Sequence, residues 1–197
     1  MAMFALKPQH GCKSACLATA GRGKFSNVVA ARMRKTRMFF EEKALFLETL
    51  NLDLVLFSKY CKDNSIKGYV RLNGTSDISW EKYGIFPKFP ELQFYDYTKV
   101  HNRKVSSYSN YQLTYSRSED SDDQSLLKAL SNNMNIAVVF EELPVVWKIG
   151  TKIVPVVNGD LNDLRPEDPS QVIVGLTAKG LAKKDKSGFV VLKDKIC

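Results

Sequence analysis

The chain has no long hydrophobic run and few cysteines, which excludes two broad classes of protein. None of its apolar segments approaches the roughly 18–20 residues that span a bilayer. The N-terminus has only a short apolar patch ahead of a basic segment, which is not the order of a signal peptide. Four cysteines in 197 residues are too few for a disulfide scaffold. We therefore expect a soluble cytoplasmic protein with no membrane partner.

Signatures of common catalytic and nucleotide-binding sites are also missing. The two histidines, His10 and His101, have no serine or cysteine pattern beside them, which argues against a Ser–His–Asp or Cys–His hydrolase. The chain contains neither a Walker loop nor a G-x-G-x-x-G fingerprint, and the glycines Gly21 and Gly23 are only a weak glycine-rich signal. Any chemistry must therefore come from other groupings of polar side chains.

Acidic residues are absent from the first 40 positions, where eight lysines and arginines lie. The first acid is Glu41, so this segment carries the whole net charge of +8. A second basic cluster near the C-terminus comprises Lys179, Lys183, Lys184 and Lys186. Such asymmetry favours a polyanionic partner, nucleic acid or nucleotide, although a solvated helix face has the same composition. The candidate nucleic-acid-binding residues are Arg22, Lys24, Arg32, Arg34, Lys35 and Arg37.

The first third of the chain has the pattern of helices. Ser26 is a plausible N-cap for a helix that runs to about residue 36. Apolar residues at three- and four-residue steps predict a second helical stretch over 38–50, or a continuation of the first, and 52–64 is typical of a further helix. Residues 1–66 therefore form a basic, mostly helical N-terminal segment of a single domain that spans residues 1–197.

Residues 67–197 have the pattern of a strand-rich core. Runs of β-branched and aromatic residues occur at 68–73, 92–97, 111–116, 135–140, 152–157 and 172–177. Most are separated by the length of a strand plus a crossover, and 121–133 is typical of a crossover helix. The sequence predicts an α/β fold with five or six mostly parallel strands, in an open sheet or a partial barrel. The stretch 145–160 is alternatively a hairpin, which would give the sheet an antiparallel edge.

Polar residues follow the predicted strands at their carboxyl ends, where parallel α/β folds bind ligands. Turn preferences alone also place Asp, Asn and Ser at these points. The acid, base or metal candidates are Asp77, Asp96, Glu119 and Asp160. The candidate ligand-binding residues are Asn73, Lys99, Arg117 and Lys179, with Arg117 and Lys179 as clamps for a phosphate or carboxylate.

One charge falls inside a predicted strand. Arg71 lies within an apolar run, where an unpaired charge would be costly. We expect it to pair with a carboxylate such as Asp96 or Asp77, and a structural ion pair is as good an interpretation as a ligand contact.

Cys12 and Cys16 form a C-x₃-C pair, the only candidate metal-binding motif. Iron–sulfur clusters and structural zinc normally take four ligands. Radical-SAM enzymes place three cysteines as C-x₃-C-x₂-C before an α/β partial barrel, and Thr19 stands where the third would be. An iron–sulfur cluster or zinc at this pair is therefore an open possibility that the sequence does not favour.

Several segments together resemble a family of bacteriophage proteins whose biochemical role is not established. The resemblance extends over nearly the whole chain and is carried by "GCKSACLATAGRGKFSNV", "VRLNGTSDISWE", "LQFYDYTKV", "YQLTYSRSE" and "VVNGDLNDLRPEDP". It implies a phage origin and the cytoplasm of the infected host. Members carry a further cysteine where this chain has Met1–Met3, so only Cys12 and Cys16 carry over as metal candidates.

Three functions remain as hypotheses, and whether the chain is an enzyme stays open. The leading one is a protein that binds or acts on a phosphate-bearing ligand, a nucleotide or nucleic acid, at the strand ends. The second is an iron–sulfur, radical-SAM-like enzyme centred on Cys12 and Cys16. The third is a non-enzymatic binder of a host protein, which fits the basic N-terminal segment equally well.

Overall fold

The computed structural model describes residue 23 and residues 25–195. Four residues proposed above, Cys12, Cys16, Arg22 and Lys24, lie outside the described residues. Within the described part of the chain, no helix combines the length and apolar character that crossing a bilayer requires.

Two helices form the N-terminal segment, and their break differs from the predicted one. Helix α1 spans Ser26–Glu41 and helix α2 spans Lys43–Asp63. Glu42 leaves the helical region, with φ −132° and ψ 49°, so the chain bends there rather than near residue 51. The stretch 43–63 contains no glycine or proline, so nothing in it interrupts the helix. Ser26 is already helical and the extended Phe25 precedes it, so the predicted N-cap is wrong by one residue.

Eight strands and one further helix form the rest of the domain. Helix α3 spans Asp123–Ser131, inside the predicted 121–133. The strands are β1 Gly68–Val70, β2 Leu92–Thr98, β3 Tyr111–Ser116, β4 Asn135–Phe140, β5 Val146–Ile149, β6 Lys152–Asn158, β7 Ile173–Thr177 and β8 Val190–Val191. All six predicted runs contain a strand. The sequence did not predict β8, which has only two residues.

The strands form one mixed sheet in the order β1-β2-β3-β4-β7-β6-β5, with β8 paired to β4. Every pair is parallel except β5 with β6, which is the antiparallel hairpin that the sequence offered as an alternative. The α/β class and the mostly parallel sheet are therefore confirmed, with eight strands rather than five or six. Because β1–β4, β6 and β7 run in one direction, their carboxyl ends lie at one edge, which we call the carboxyl edge.

The two faces of the sheet have different coverings. Side chains alternate between faces along a strand. On one face Phe94 and Tyr111 pack against Phe86, within the main hydrophobic core. The opposite face carries Tyr69, Tyr95 and Tyr97, and we call it the tyrosine face.

Two segments lie on the tyrosine face. The acidic loop, residues 159–168, follows β6 and contacts β2 and β3 through its 3₁₀ turn, Arg165–Glu167. The basic strap, residues 178–189, follows β7 and packs against Val139 of β4 through Ala178, Ala182 and Phe189. The polar groups at the carboxyl edge therefore lie close to these two segments.

Candidate functional site

Asp96 of β2 is buried at the centre of a hydrogen-bonded network that links β2 to the segment after β1 and to β3. Its side chain is 1% exposed, and it accepts hydrogen bonds from the Asn73 amide N–H at 2.6 Å and from the Tyr111 hydroxyl at 3.2 Å. Asn73 is held in turn, because its Oδ1 accepts from Trp80 Nε1 and the Ile78 N–H. Burial raises the pKa of Asp96 to about 7, although hydrogen bonds from Asn73 and Tyr111 oppose the shift.

Asp77 forms a buried ion pair beside this network. Its Oδ1 accepts from Arg103 Nη1 at 2.9 Å, and its Oδ2 accepts from the Thr98 hydroxyl and the Lys99 N–H. Arg103 also donates two hydrogen bonds to Glu81, from Nη2 to Oε2 at 2.6 Å and from Nε to Oε1 at 3.2 Å. Both oxygens of Asp77 therefore have protein donors, which is the arrangement of a carboxylate that fixes local structure.

Arg71 lies just beyond the end of β1 and reaches the tyrosine face. Its Nη1 donates to Asp163 at 2.8 Å, and its guanidinium lies 4.5 Å from the centre of the Tyr97 ring. The Tyr97 hydroxyl donates to the other oxygen of Asp163. Arg71 therefore pairs with a carboxylate, as expected, but neither Asp96 nor Asp77 is its partner, because the alternation of side chains directs Arg71 to the opposite face.

Lys99 follows β2 on the same face as Tyr97, two residues further along. Its Nζ donates to the Ser116 carbonyl at 2.9 Å, to the Ser116 hydroxyl at 3.0 Å and to the Arg117 carbonyl at 3.1 Å. The ammonium also lies 5.9 Å from the centre of the Phe189 ring. These contacts join the ends of β2 and β3 to the basic strap.

Arg117 is a second residue after a strand end that contacts the basic strap. Its Nη1 donates to the carbonyls of Gly188 and Phe189, and its guanidinium lies 5.9 Å from the centre of the Trp147 ring. Burial lowers the pKa of Arg117 against the opposing effect of Glu119. Glu119 itself is half-buried in the turn after β3. The contacts of Arg117 therefore position the segment that carries the lysines.

Asp160 and Lys179 connect the acidic loop to the strap. Lys179 Nζ donates to Asp160 Oδ1 at 2.8 Å, and the Thr177 N–H donates to Oδ2 at 2.9 Å. Burial acts to raise the pKa of Asp160, but the hydrogen bonds from Lys179 and Thr177 outweigh it and the pKa is lowered. The Lys179 side chain is 70% exposed, so its ammonium remains accessible to a ligand.

Arg165 is a buried cation that sequence reasoning missed. It is 1% exposed, and its Nη2 donates to the carbonyls of Gly159 and Asn162. Its Nη1 lies 3.1 Å from Asp168, whose pKa is raised by burial against the attraction of Arg165. An arginine in a polar stretch, directly before a proline, has no periodic signal that predicts burial, so only the fold reveals it.

The two basic clusters that the sequence singled out are both largely exposed. In α1, Arg34, Lys35 and Arg37 are exposed, whereas Arg32 donates to the Gly23 carbonyl. In the strap, Lys183, Lys184 and Lys186 are exposed beside Lys179. The intervening acid of the strap, Asp185, accepts hydrogen bonds from Ser187 and Val190. Burial acts to raise the pKa of Asp185, but the hydrogen bonds from Ser187 and Val190 outweigh it and the pKa is lowered, so the strap carries one carboxylate among its ammonium groups.

The contacts group the sequence candidates in pairs. Asn73 contacts Asp96, the Lys99 N–H contacts Asp77, the Lys99 ammonium contacts the Arg117 carbonyl, and Lys179 contacts Asp160. Among residues 25–195, no group of three or more histidine, cysteine, aspartate or glutamate side chains could hold a metal ion.

Comparison with known proteins identifies one match. A family model described as Gene product 88 matches residues 7–193 of the chain. No curated protein and no solved structure matches it significantly. The match is consistent with the resemblance to bacteriophage proteins, and nothing in the comparisons supports a likeness to radical-SAM enzymes.

Proposed function

The chain belongs to the Gene product 88 family, and from that premise we propose that it binds a phosphate-bearing ligand, a nucleic acid in preference to a free nucleotide, at its carboxyl edge. The observation that carries the proposal is the set of exposed ammonium groups on the basic strap, which lies beside the cations that follow the strand ends. Arg71 follows β1, Lys99 follows β2, Arg117 follows β3 and Lys179 follows β7. Parallel strands bring their carboxyl ends to one edge, where α/β proteins bind ligands.

The electrostatics of the strap support a nucleic acid. Its exposed ammonium groups at Lys183, Lys184 and Lys186 lie within seven residues of Lys179, which forms an ion pair with Asp160. Arg117 positions the strap through two backbone carbonyls, so its lysines can make several phosphate contacts at one surface. A free nucleotide offers too few phosphates to engage them all. The exposed cations of α1 extend the basic surface.

The carboxylates favour binding over catalysis. Both oxygens of Asp77 are occupied by Arg103, Thr98 and Lys99, and Asp96 is sealed in the core. A general acid or base must be able to reach its substrate. The iron–sulfur alternative depends on Cys12 and Cys16, and no observation on the described residues favours it.

The test is a binding titration with a fluorescent oligonucleotide at several salt concentrations. Each phosphate contact on duplex DNA contributes about −0.9 to the slope of log K against log salt. We expect the triple variant Lys183→Gln/Lys184→Gln/Lys186→Gln to make the slope shallower by about 2 to 3. The matched control Lys128→Gln/Lys148→Gln/Lys152→Gln removes three exposed lysines elsewhere and should leave the slope unchanged.

Two results would contradict the proposal. One is the absence of binding at low salt by the wild-type protein to single-stranded and duplex oligonucleotides alike. The other is an equal loss of affinity in both triple variants, because that would show a response to net charge and not to the strap.

A further inference from the structure

Two carboxylates of the acidic loop occupy cations of the proposed binding surface. Asp163 accepts a hydrogen bond from Arg71 Nη1 at 2.8 Å, and Asp160 accepts one from Lys179 Nζ at 2.8 Å. Arg71 follows β1 and Lys179 follows β7, so both cations follow strand ends at the carboxyl edge. Carboxylate and phosphate oxygens both accept charge-assisted hydrogen bonds from arginine and lysine. Each aspartate therefore takes the place that a phosphate of the ligand would need.

The acidic loop holds these carboxylates in place between two anchored points. The Gly159 N–H donates to the Gly175 carbonyl at 2.8 Å. The buried Arg165 donates to the carbonyls of Gly159 and Asn162. Residues 160–163, between these points, are exposed to solvent. The backbone of the loop is thus fixed on both sides, and rotation of the two aspartate side chains toward solvent would be enough to release their cations.

Both ion pairs can be reached from solvent. The side chain of Asp163 is 62% exposed and that of Lys179 is 70% exposed, so a ligand can approach each pair from one side. Exposed ion pairs are weak, equivalent to a factor of about 2 to 5 in an equilibrium constant. By contrast, the ion pair of Asp77 with Arg103 is buried on both sides. The two pairs of the acidic loop are therefore the ones that a ligand can displace.

We propose, on the basis of the function proposed above, that the acidic loop inhibits binding by its own protein: its two aspartates cover the cations in the free protein, and the phosphates of a nucleic acid displace them. A carboxylate that the fold holds beside its cation competes at a high effective concentration. A ligand with one or two phosphates gains little from displacing it. A nucleic acid also engages the exposed lysines of the basic strap, so it can displace both aspartates.

The test is a binding titration at low salt with a labelled single-stranded oligothymidylate of about 12 nucleotides. Asp163→Asn and Asp160→Asn keep the size of each side chain and one acceptor oxygen but remove the charge. Each should bind the oligonucleotide about 2- to 5-fold more tightly than the matched control does. That control is Glu167→Gln, which removes one negative charge from the same loop, where Glu167 accepts a hydrogen bond from the Tyr69 hydroxyl.

A double-mutant cycle separates release of the cation from the change in net charge. Where Lys179→Gln has removed the cation, Asp160→Asn has no ammonium group to release. It should then raise the affinity no more than Glu167→Gln does in the same background. In the protein that keeps Lys179, Asp160→Asn should exceed that control by the factor given above.

The possible results separate this inhibition from the function on which it rests. If the wild type and all the variants fail to bind at low salt, both proposals are wrong. If the wild type binds but either aspartate variant fails to exceed Glu167→Gln, the binding site stands and the inhibition is overturned. The same holds if the gain from Asp160→Asn persists without Lys179. Tighter binding by both aspartate variants than by the wild type and the control supports both proposals.

Discussion

Asp96 shows how strongly burial changes a carboxylate in this fold. It lies at the carboxyl end of β2, where the sequence suggests a reactive acid, yet it is shielded from solvent. Burial is the largest influence on its pKa, and the nearby Arg71 and Arg103 reduce the shift without cancelling it. The folded protein therefore holds the Asp96 proton up to a pKa of about 7, whereas an exposed aspartate loses it near pH 4.

Asp96→Asn should remove a pH dependence of stability. Below about pH 4 the carboxyl is protonated in the folded and the unfolded state, and its stabilising effect is fully present. As the pH rises toward about 7, the unfolded state loses the proton first, so the free energy of unfolding falls. The wild type should therefore lose stability as the pH rises from about 5 to about 7, with little further loss above the folded-state pKa, and Asp96→Asn should lose less.

Urea unfolding at the two pH values measures this difference. Asp160→Asn is the control, because the pKa of Asp160 is lowered and the group is already ionised throughout that window. An equal loss of stability in wild type and Asp96→Asn would show that the buried carboxyl does not carry the effect.

The sequence predicted the positions of some residues of the candidate site, but not the partner of Arg71 or the burial of Arg165. Strand ends follow from β-branched runs, so Lys99 and Lys179 could be placed at the carboxyl edge from the sequence. The partner of Arg71 could not, because it depends on how a loop 92 residues further along the chain folds onto the tyrosine face. Burial of Arg165 likewise depends on how the acidic loop folds back onto β2 and β3.

At the scale of elements, β7 is a strand at which close packing requires a glycine. It lies between β4 and β6, and Gly175 faces both neighbours. A Cβ built on Gly175 would lie 2.7 Å from Val156 Cγ1 and 2.8 Å from Leu143 Cδ2. Contacts this short require the neighbouring side chains to move. The glycine thus permits the close approach of β6 and the segment after β4.

Gly175→Ala should therefore destabilise the protein, by about 1 to 3 kcal/mol as for other overpacked cores. Gly74→Ala is the matched control, because a Cβ there meets no atom within 4 Å and the substitution should be nearly neutral. Chemical unfolding of the two variants beside the wild type gives the comparison. Equal stabilities of the two variants would show that β7 adapts without cost.

The periodicity of apolar residues predicted where helices and strands occur better than the residues at which they begin and end. Apolar residues at helical spacing identified the region of α2, but not the break at Glu42, which is a matter of one residue's backbone angles. The two-residue strand β8 is formed because β4 extends beyond β3 and leaves an edge to pair. Such a strand has too few residues to leave a pattern in the sequence.

At the scale of the whole molecule, the parallel sheet explains why residues from distant segments lie close together. Arg71, Lys99 and Lys179 are far apart in sequence, and the common direction of β1, β2 and β7 brings their strand ends to one edge. The acidic loop and the basic strap close over the tyrosine face beside them, joined by the Asp160–Lys179 ion pair. A phosphate that binds there competes with carboxylates for the same cations.

The most direct test of this account is to map the ligand on the protein by NMR. A ¹⁵N-labelled sample titrated with a short single-stranded oligonucleotide reports which amides change. We expect the largest shifts at the carboxyl edge and the basic strap, around Arg71, Lys99 and residues 178–189, and loss of those shifts at high salt. Shifts confined to α2 or α3, or no shifts at low salt, would contradict the assignment of the site.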